Sequence, residues 1–294
     1  MKYNDKQFIY WIWYSRIENV SSLKKCKLLT KYKNVKEIFN LDEESLLKEE
    51  YLNSNDVSNI LKKQYKECLK EYCKYLLKNN IKMITLFDKE YPEKLKLIYD
   101  KPVTLFAKGN IELLNKKGVA IVGSRNCSEY GKNISRRFAY ELSKQNICII
   151  SGLAKGIDKY AHTGALEANG NTIAVIGNGL DYIYPFDNKN LYERIVNEDS
   201  LIITEYIIGT KPNRLNFPER NRIISALSDA ILVVEAGKRS GSLITADFGL
   251  EHGKEIFAVP GNIDNYNSIG TNELIKQGAT LVTESNDIVD VLDF

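Results

Sequence analysis

The stretch from residue 147 to residue 158 reads ICIISGLAKGID, and the fold is best read outward from it. Its first four residues are apolar, which is typical of a β-strand buried on both faces. Ser151 and Gly152 then end the strand, and Gly156 opens a helix. A loop of this kind presents backbone N–H groups at a helix N-terminus, where the unpaired donors and the helix dipole attract an anion. The stretch therefore predicts a strand–loop–helix unit that either binds phosphate or is a tight connection without a ligand.

A second loop favours the phosphate-binding interpretation. Residues 119–122, VAIV, are another buried-type strand and are followed by Gly123, Ser124 and Arg125, with helical spacing resuming at Tyr130. In a doubly wound sheet, neighbouring parallel strands release their loops at the same carboxyl edge, and ligands bind there. An arginine beside exposed backbone donors is well suited to a phosphate. We therefore expect Arg125 to share one rim of the sheet with the loop at 151–156.

The rest of the second half alternates between strand and helix patterns. This alternation predicts an α/β domain with a mainly parallel sheet covered on both faces. The further predicted strands are residues 172–176, 201–204, 230–234, 256–259 and 280–282.

The first 80 residues have a different pattern, with apolar residues at helical spacing and one long amphipathic segment at 53–77. Residues 81–117 contain two strand-like segments, 83–86 and 103–106. We therefore expect a small all-helical domain at 1–80, followed by the α/β domain at 81–294, with 81–117 as a bridging segment.

The composition excludes several classes of protein. The 294 residues are 44% hydrophobic and 27% charged, as in ordinary globular proteins. No apolar run approaches the ~20 residues of a membrane span, and the N-terminus lacks the apolar core of a signal peptide. Five cysteines without a C-x-x-C pair predict reduced thiols in a cytoplasmic protein, and two histidines exclude a histidine-rich metal site.

The net charge is unevenly distributed. Residues 1–117 carry a net charge of +8, whereas residues 118–294 carry −5, yet eight of the nine arginines lie in this acidic half. A general basic field therefore does not argue for a nucleic-acid partner. Any such argument must rest on arginines gathered locally at the sheet edge.

Three further segments bring polar groups to the same expected edge. Residues 217–222 read FPERNR, residues 235–242 read EAGKRSGS, and residues 259–262 read VPGN. Arg220 and Arg222 could instead pair with acidic neighbours (Glu219, Asp229 or Glu235), and Ser240 or Ser242 could cap the next helix. For Arg222 and Asp158, which flank helix starts, a structural role is favoured. His162 is likewise favoured as a structural partner of Asp158.

Known enzyme loops are missing from the sequence. No G-x-G-x-x-G opens a helix after the first strand of the α/β half, and no acidic residue follows the second strand to bind a ribose. The sequence also contains no G-x-x-x-x-G-K-[ST] phosphate loop and no G-x-S-x-G nucleophile elbow.

Taken together, the motifs resemble those of the DNA-processing protein A family (DprA/Smf), over about residues 81–290. The resemblance implies an extended Rossmann-like domain that binds single-stranded DNA, forms a homodimer and loads the RecA recombinase onto DNA during natural transformation. It implies no catalytic step, no cofactor and no metal. The motifs are GSR at 123–125, SGLAKGIDKYAH at 151–162, TIAVIG at 172–177, FPERNRII at 217–224, SGSLIT at 240–245 and PG at 260–261.

The chain departs from the family pattern in two respects. Many members have a basic residue after the Tyr-Pro pair that corresponds to Tyr184-Pro185, whereas this chain has Phe186. Lys189 could supply the missing phosphate contact, or Phe186 could stack on a base instead. Many members also have a C-terminal winged-helix module, which has no counterpart in this sequence. The N-terminal helices only weakly resemble the sterile-alpha-motif-like or helix-hairpin-helix-like domain of some members.

Two other functions remain open at this stage. A Rossmann-like phosphoribohydrolase of the lysine-decarboxylase-like type would carry P-G-G-x-G-T-x-x-E, but the comparable loop at 237–245 has no such glutamate. A nucleotide-sensing module would bind mononucleotides saturably.

We also expect the terminal segment 287–294 to pack against a second subunit in a homodimer, although its apolar residues could equally pack on the chain's own sheet.

The expected DNA-binding residues all follow from these loops and from the resemblance. They are Gly123, Ser124, Arg125, Ser151, Gly152, Leu153, Ala154, Lys155, Gly156, Phe186, Lys189, Arg220, Asn221, Arg222, Ser240, Gly241, Ser242 and Gly261.

Overall fold

The fold was analysed in a computed structural model that describes residues 6–62 and 66–293, without the side chains of residues 6 and 66–68. The described residues contain a nine-stranded sheet in the order β1-β2-β6-β5-β4-β3-β7-β8-β9. The strands are β1 (Lys82–Thr85), β2 (Thr104–Gly109), β3 (Gly118–Val122), β4 (Cys148–Ser151), β5 (Thr172–Val175), β6 (Leu201–Thr204), β7 (Ala230–Val233), β8 (Glu255–Ala258) and β9 (Thr280–Leu281).

Helices precede the sheet and cover both of its faces, as the sequence predicted. The helices before β1 are α1 (Lys6–Ser15), α2 (Ser22–Tyr32), α3 (Val35–Asn40), α4 (Glu43–Leu47), α5 (Ser54–Leu61) and α6 (Lys66–Lys78). Those that follow are α7 (Glu93–Lys96), α8 (Glu129–Lys144), α9 (Ile157–Glu167), α10 (Lys189–Asn197), α11 (Asn216–Leu227), α12 (Gly241–Glu251), α13 (Ile269–Lys276) and α14 (Asn286–Leu292).

The sheet is parallel except at one side. β1 pairs antiparallel with β2, and β2 pairs antiparallel with β6, whereas the other six pairings are parallel. The middle strand, β3, lies between β4 and β7, and Ala120 is in register with Ile150 on one side and Ile231 on the other. Burial of both faces explains why these strands are almost continuously apolar. The expected fold class, extended Rossmann-like with preceding helices, is confirmed.

The N-terminal helices share one apolar core with the sheet. This core joins Trp13 and Leu28 of the helices to Phe106 of β2, Ile202 of β6 and Ile195 of α10. A hydroxyl pair, Ser15 with Thr104, also links α1 to β2 at 2.7 Å. The division into domains at residue 80 therefore remains a proposal, in which the two parts are packed together over a continuous apolar surface.

Two expectations about helices change. The long amphipathic segment expected at 53–77 is two helices, since α5 ends at Leu61 and α6 begins at Lys66. Residues 63–65 and the Cys68 side chain lie outside the described residues. In α14, Ile288 is fully buried with Phe138 and Val282, while Val291 is half exposed. The terminal helix thus packs mainly on its own subunit, and Phe294 lies outside the described residues. No helix within the described ranges has the length and apolar character needed to cross a membrane.

Candidate nucleic-acid interface

An open cavity of about 810 Å³ lies at the carboxyl edge of the sheet, where the sequence placed the site. The loop after β3 lines one part of it, and the β7–α12 loop and the segment after β8 line another. The start of α11 supplies a further wall. The lining residues are Val122 to Asn126, Ala154, Asp158, Arg214, Phe217, Pro218, Arg220, Asn221, Ile224, Ser240 to Ser242, Thr245 and Asn265 to Asn267.

The β4–α9 loop has less free hydrogen-bonding capacity than its sequence predicted. The Asp158 carboxylate accepts the Gly152 and Ala154 N–H groups at 3.1 and 3.4 Å, and His162 Nε2 accepts the Leu153 N–H at 3.3 Å. Those three amides are consumed inside the loop, and the Leu153 side chain is buried. Within the described residues, only the Lys155 and Gly156 amides of positions 152–156 have no acceptor. Only the last two residues of this loop therefore retain backbone N–H groups for a phosphate, among the amides at 152–156.

Gly156 is required by the shape of this loop. Its φ is +74°, and a Cβ there would overlap the Ser124 carbonyl oxygen of the β3 loop. That oxygen accepts the Ile157 N–H at 3.2 Å, which joins the two rim loops. A residue other than glycine would be strained in this conformation and would push the loops apart.

His162 is a structural histidine, although its partners differ from those expected. It is fully buried, its Nδ1 lies 2.7 Å from the Thr172 hydroxyl, and that hydroxyl donates to the Ile149 carbonyl. With Nε2 accepting from Leu153, Nδ1 carries the proton and the ring is neutral. Burial lowers its pKa to about 3, with a further lowering by the Arg220 charge. The expectation that His162 pairs with Asp158 is wrong, because Asp158 turns towards the loop amides.

Arg220 supports the floor of the cavity. Its side chain is buried, and Nη1 donates to the Gly152 carbonyl at 2.9 Å and also to the Val175 carbonyl. The guanidinium thus crosslinks the ends of β4 and β5. Burial lowers its pKa to about 10, against the raising effect of Asp158. It remains charged at neutral pH, so Arg220 adds a positive field from below the surface rather than an exposed group.

Arg222 was expected to contact DNA, but the structure buries its side chain among acidic partners. Arg222 is 1% exposed and makes a bidentate ion pair with Glu205, at 2.7 Å for each bond. Its Nε lies 3.1 Å from the Asp100 carboxylate and donates to the Asp100 carbonyl at 3.2 Å. Arg222 also donates to the Ser22 hydroxyl of α2 at 3.2 Å. The partners expected from the sequence were different acids. Arg222 therefore joins α11 to the N-terminal helices, and no donor is left to face a ligand.

Arg125 is placed as the sequence predicted, exposed on the rim. Its guanidinium carbon lies 5.1 Å from the centre of the Phe217 ring, and Tyr184 stacks on the same ring at 5.5 Å. No carboxylate within the described residues pairs with it. A cation held over an aromatic face keeps its hydrogen-bonding edge free for a phosphate.

The β7–α12 loop forms the facing rim. Ser240 caps α12 and accepts the Ser242 N–H at 3.4 Å, which confirms the capping alternative. Asn221 donates to the Gly241 carbonyl at 3.2 Å and so joins α11 to this loop. Lys238 and Arg239, earlier in the loop, are exposed and form no ion pair in the described part of the chain.

Gly261 lies outside the cavity lining. Its N–H and carbonyl are both paired with the Asn272 side chain, at 3.2 and 2.9 Å. A DNA contact through the Gly261 backbone therefore does not fit the structure.

The segment that departs from the family pattern lies beside the cavity. Phe186 is 72% exposed, so its ring is available to a base. The two lysines near it are both engaged, since Lys155 pairs with Asp187 at 2.5 Å and Lys189 with Glu193 at 3.8 Å. A phosphate contact by Lys189 and base stacking by Phe186 both remain proposals.

Several lining residues were not predicted. Arg214 lies in the connection between β6 and α11, and Asn126, Thr245 and Tyr266 come from loops or helix faces. Thr245 ends the SGSLIT motif at 240–245 but was not expected as a site residue. Arg214, Asn126 and Tyr266 lie outside the quoted motifs, so only the three-dimensional arrangement identifies them. Together with Arg125, Arg214 gives the cavity two exposed arginines.

Acidic groups at the cavity are fixed in structural roles. Glu235 is buried at the end of β7, accepts the Ser128 N–H at 2.9 Å and binds the Ser128 hydroxyl, and thereby holds the N-terminus of α8. Asp158 is the one carboxylate among the described lining residues, and its pKa is raised by burial against the opposing effect of Arg220. Among the described lining residues, the two exposed arginines are therefore not matched by an exposed carboxylate.

A mainly parallel sheet with an arginine-lined cavity at its carboxyl edge defines the chain as an extended Rossmann-like protein. The comparison with protein families makes this specific. Residues 82–293 match the family described as DNA recombination-mediator protein A, and the chain belongs to this family, the DprA/Smf family.

Individual relatives agree with this assignment. The chain is 47% identical over 210 residues to DNA processing protein DprA of Streptococcus pneumoniae, covering 71% of this chain and 74% of that protein. It is 46% identical over 204 residues to protein Smf of Escherichia coli, covering 69% of this chain and 54% of that protein.

Solved structures extend the likeness to the fold. The X-ray structure of DprA from Streptococcus pneumoniae has a TM-score of 0.76 at 37% identity and covers 97% of this chain and 98% of its own. A structure of DNA processing protein A from Helicobacter pylori, reported for its mode of single-stranded DNA binding, has a TM-score of 0.65 at 31% identity. It covers 72% of this chain and 95% of its own.

Proposed function

We propose that this protein binds single-stranded DNA in the cavity at the carboxyl edge of its sheet. The observation that carries the proposal is a cavity of about 810 Å³ with two exposed arginines, in which the lining carboxylate is buried and bound to backbone amides. Phosphates would bind to Arg125, Arg214 and the free amides of Lys155 and Gly156, and bases to the aromatic rings at the rim. The reported binding mode of the Helicobacter pylori relative supports the same ligand class.

Positioning, without a chemical step, is sufficient for this role. Glycine loops let a backbone approach closely, and arginine forks orient phosphates. The phosphoribohydrolase alternative requires a free glutamate at the site, and Glu235 is bound to Ser128 instead. We therefore propose that the protein acts as a binding protein and has no enzymatic activity at this site.

The proposal is tested by comparing matched single-stranded and duplex oligonucleotides in fluorescence anisotropy, at several salt concentrations. Single-stranded DNA should bind more tightly, with affinity falling as salt rises, because bound phosphates release counterions. Equal affinity for the two forms, or binding without salt dependence, would contradict it. Competition by mononucleotides at micromolar concentration would instead favour a nucleotide-sensing module.

We further propose that the bound strand is passed to RecA during natural transformation, DNA uptake and recombination. The support is family membership, since the matched family is described as a recombination mediator. RecA filament assembly on DNA covered by a single-strand-binding protein should be faster with this protein present. An unchanged rate would refute the role as a loader and leave DNA binding intact.

A homodimer is the remaining proposal about partners. Leu281, on edge strand β9, and Val291, on α14, the helix that follows β9, are 47% and 50% exposed. Exposed apolar residues beside an unpaired edge strand suit contact with a second copy. Light scattering at micromolar concentration should give twice the monomer mass, and a monomer alone would refute it.

A further inference from the structure

Tyr266 forms an aromatic surface on the wall of the cavity that no motif predicted. It begins the short 3-10 helix Tyr266–Ser268 that follows β8, and it is 64% exposed while lining the cavity. Exposed tyrosines are usually unremarkable on a protein surface. This one is distinguished by how firmly it is held.

The residue after Tyr266, Asn267, is hydrogen-bonded to both neighbouring rim loops, through its backbone to one and through its side chain to the other. The Asn267 carbonyl accepts the Ala236 N–H at 2.7 Å, and the Asn267 amide donates to the Asn126 carbonyl at 2.9 Å. The ring itself lies against Gly237, where a Cβ would overlap two of its atoms. The ring is therefore held in place before any ligand arrives, which lowers the entropy cost of stacking.

Tyr266 lies on the opposite side of Arg125 from the aromatic pair described above. Arg125 follows the middle strand β3, Tyr184 belongs to the connection after β5, and Tyr266 follows β8. Each of those outer strands is two positions from β3, so β5 and β8 are separated by about 19 Å at ~4.8 Å per strand. A stacked strand spans that distance in about five or six nucleotides, at ~3.4 Å each.

We propose that Tyr266 stacks on a base of bound single-stranded DNA, as a second aromatic platform across the cavity from Tyr184 and Phe217. This inference rests on the proposed function. It assigns a direction to the bound strand, which crosses the sheet edge from the β5 side, past Arg125, to the β8 side. Lys238 and Arg239, next to Gly237, place cations beside the second platform. The alternation of aromatic rings and cations is the pattern that single-strand-binding surfaces use.

The test compares Tyr266→Ala with Tyr266→Phe, using fluorescence anisotropy with an octathymidylate. Loss of one stacked base should weaken binding of the alanine variant about fivefold to a hundredfold, while phenylalanine keeps the wild-type affinity. The slope of affinity against salt should not change, because no charge is removed. Tyr99→Ala, at a 61% exposed tyrosine outside the cavity, is the matched control and should bind normally.

The outcomes separate this inference from the function on which it rests. If wild-type protein binds the octamer and Tyr266→Ala binds equally well, the stacking inference is wrong and the proposed function stands. If phenylalanine weakens binding as much as alanine, the phenol makes a hydrogen bond and the stacking inference is again wrong. If wild-type protein does not bind the octamer, the proposed function fails first.

A second measurement uses the length of the ligand. A dinucleotide is too short to reach from Arg125 to both platforms, so Tyr266→Ala should weaken octamer binding much more than dinucleotide binding. An equal fold-change for both lengths would overturn the proposed path across the sheet edge. In a further series, a single abasic position is placed at each position of the octamer in turn. Tyr266→Ala should weaken binding no further when the abasic position is the one that Tyr266 stacks on, near one end of the octamer, because the tyrosine and that base are coupled partners.

Discussion

Replacing Arg125 with alanine is the perturbation that the structure makes most informative. The side chain is exposed, lies over Phe217 at 5.1 Å and has no carboxylate partner in the described residues. Removing it costs the folded protein an exposed cation–π contact of about 0.5–1 kcal/mol at most. A charge-assisted hydrogen bond to phosphate is worth about 1.5–3 kcal/mol. The affinity for single-stranded DNA should therefore fall about tenfold to a hundredfold while the protein remains folded.

The assay is fluorescence anisotropy at three or more salt concentrations. Loss of one phosphate contact should flatten the slope of log K against log salt by about 0.7 to 1. Arg125→Lys should restore most of that slope but not all of the affinity, because an ammonium lacks the bidentate fork. Arg136→Ala removes the same charge from an exposed arginine on α8 that pairs with Glu167, and it is the matched control.

The same assay decides between the two halves of the chain. We expect Arg125→Ala to cost more affinity than loss of the basic N-terminal half. Deleting residues 1–80 would expose the core shared by Trp13 and Phe106, so neutralising the exposed Lys27 and Lys36 together is the cleaner comparison. If neutralising Lys27 and Lys36 abolishes binding while Arg125→Ala binds as tightly as Arg136→Ala, DNA binds to the N-terminal half instead.

Three further predictions concern the residues around the cavity. Lys155 pairs with Asp187, and its hydrogen bond and charge hold the pKa of Asp187 below the usual range. Asp187→Asn releases Lys155 and should therefore strengthen DNA binding severalfold and steepen the salt dependence of binding. Unchanged affinity would refute this. Arg222→Leu should lower stability to denaturant by about 3–5 kcal/mol, by stranding Glu205 and Asp100, yet leave the salt slope unchanged; a flattened slope would restore Arg222 as a contact. The pKa of His162 in the folded protein is about 3, because burial disfavours its charged form, whereas an unperturbed histidine has a pKa of about 6.5. The free energy of unfolding should therefore fall as the pH drops below 6.5, and protonation of His162 should account for about 2 kcal/mol of the loss at pH 5. His162→Gln should lose less stability in acid than the wild type by this amount. Equal loss of stability in both proteins would contradict the prediction.

The fold was predictable because its strands are buried on both faces. Continuous apolar runs such as 119–122 and 147–150, each followed by a glycine turn, indicate parallel strands and also locate the rim loops. The helical spacing after Tyr130 likewise gave α8 to within a residue at its start. The break between α5 and α6 was not predicted, since a continuous amphipathic pattern is equally compatible with two helices in succession.

The site was predictable only in part, because a motif does not reveal which groups face solvent. Arg125 and Arg222 both stand in motifs, but one is exposed over an aromatic ring and the other is paired with Glu205 and Asp100. Three loop amides that looked available are occupied by Asp158 and His162. Arg214 and Tyr266 reach the cavity from connections without a sequence signal, and their proximity arises only when the sheet assembles.

Photocrosslinking shows whether single-stranded DNA lies across the carboxyl edge of the sheet. An oligonucleotide carrying 5-iododeoxyuridine at successive positions is irradiated on the wild-type protein, and the crosslinked peptides are identified by mass spectrometry. We expect crosslinks to the rim aromatics, at Tyr184 to Phe186, Phe217 and Tyr266, in an order along the oligonucleotide that runs from the β5 side to the β8 side. Crosslinks confined to helices α1–α6 would contradict this expectation.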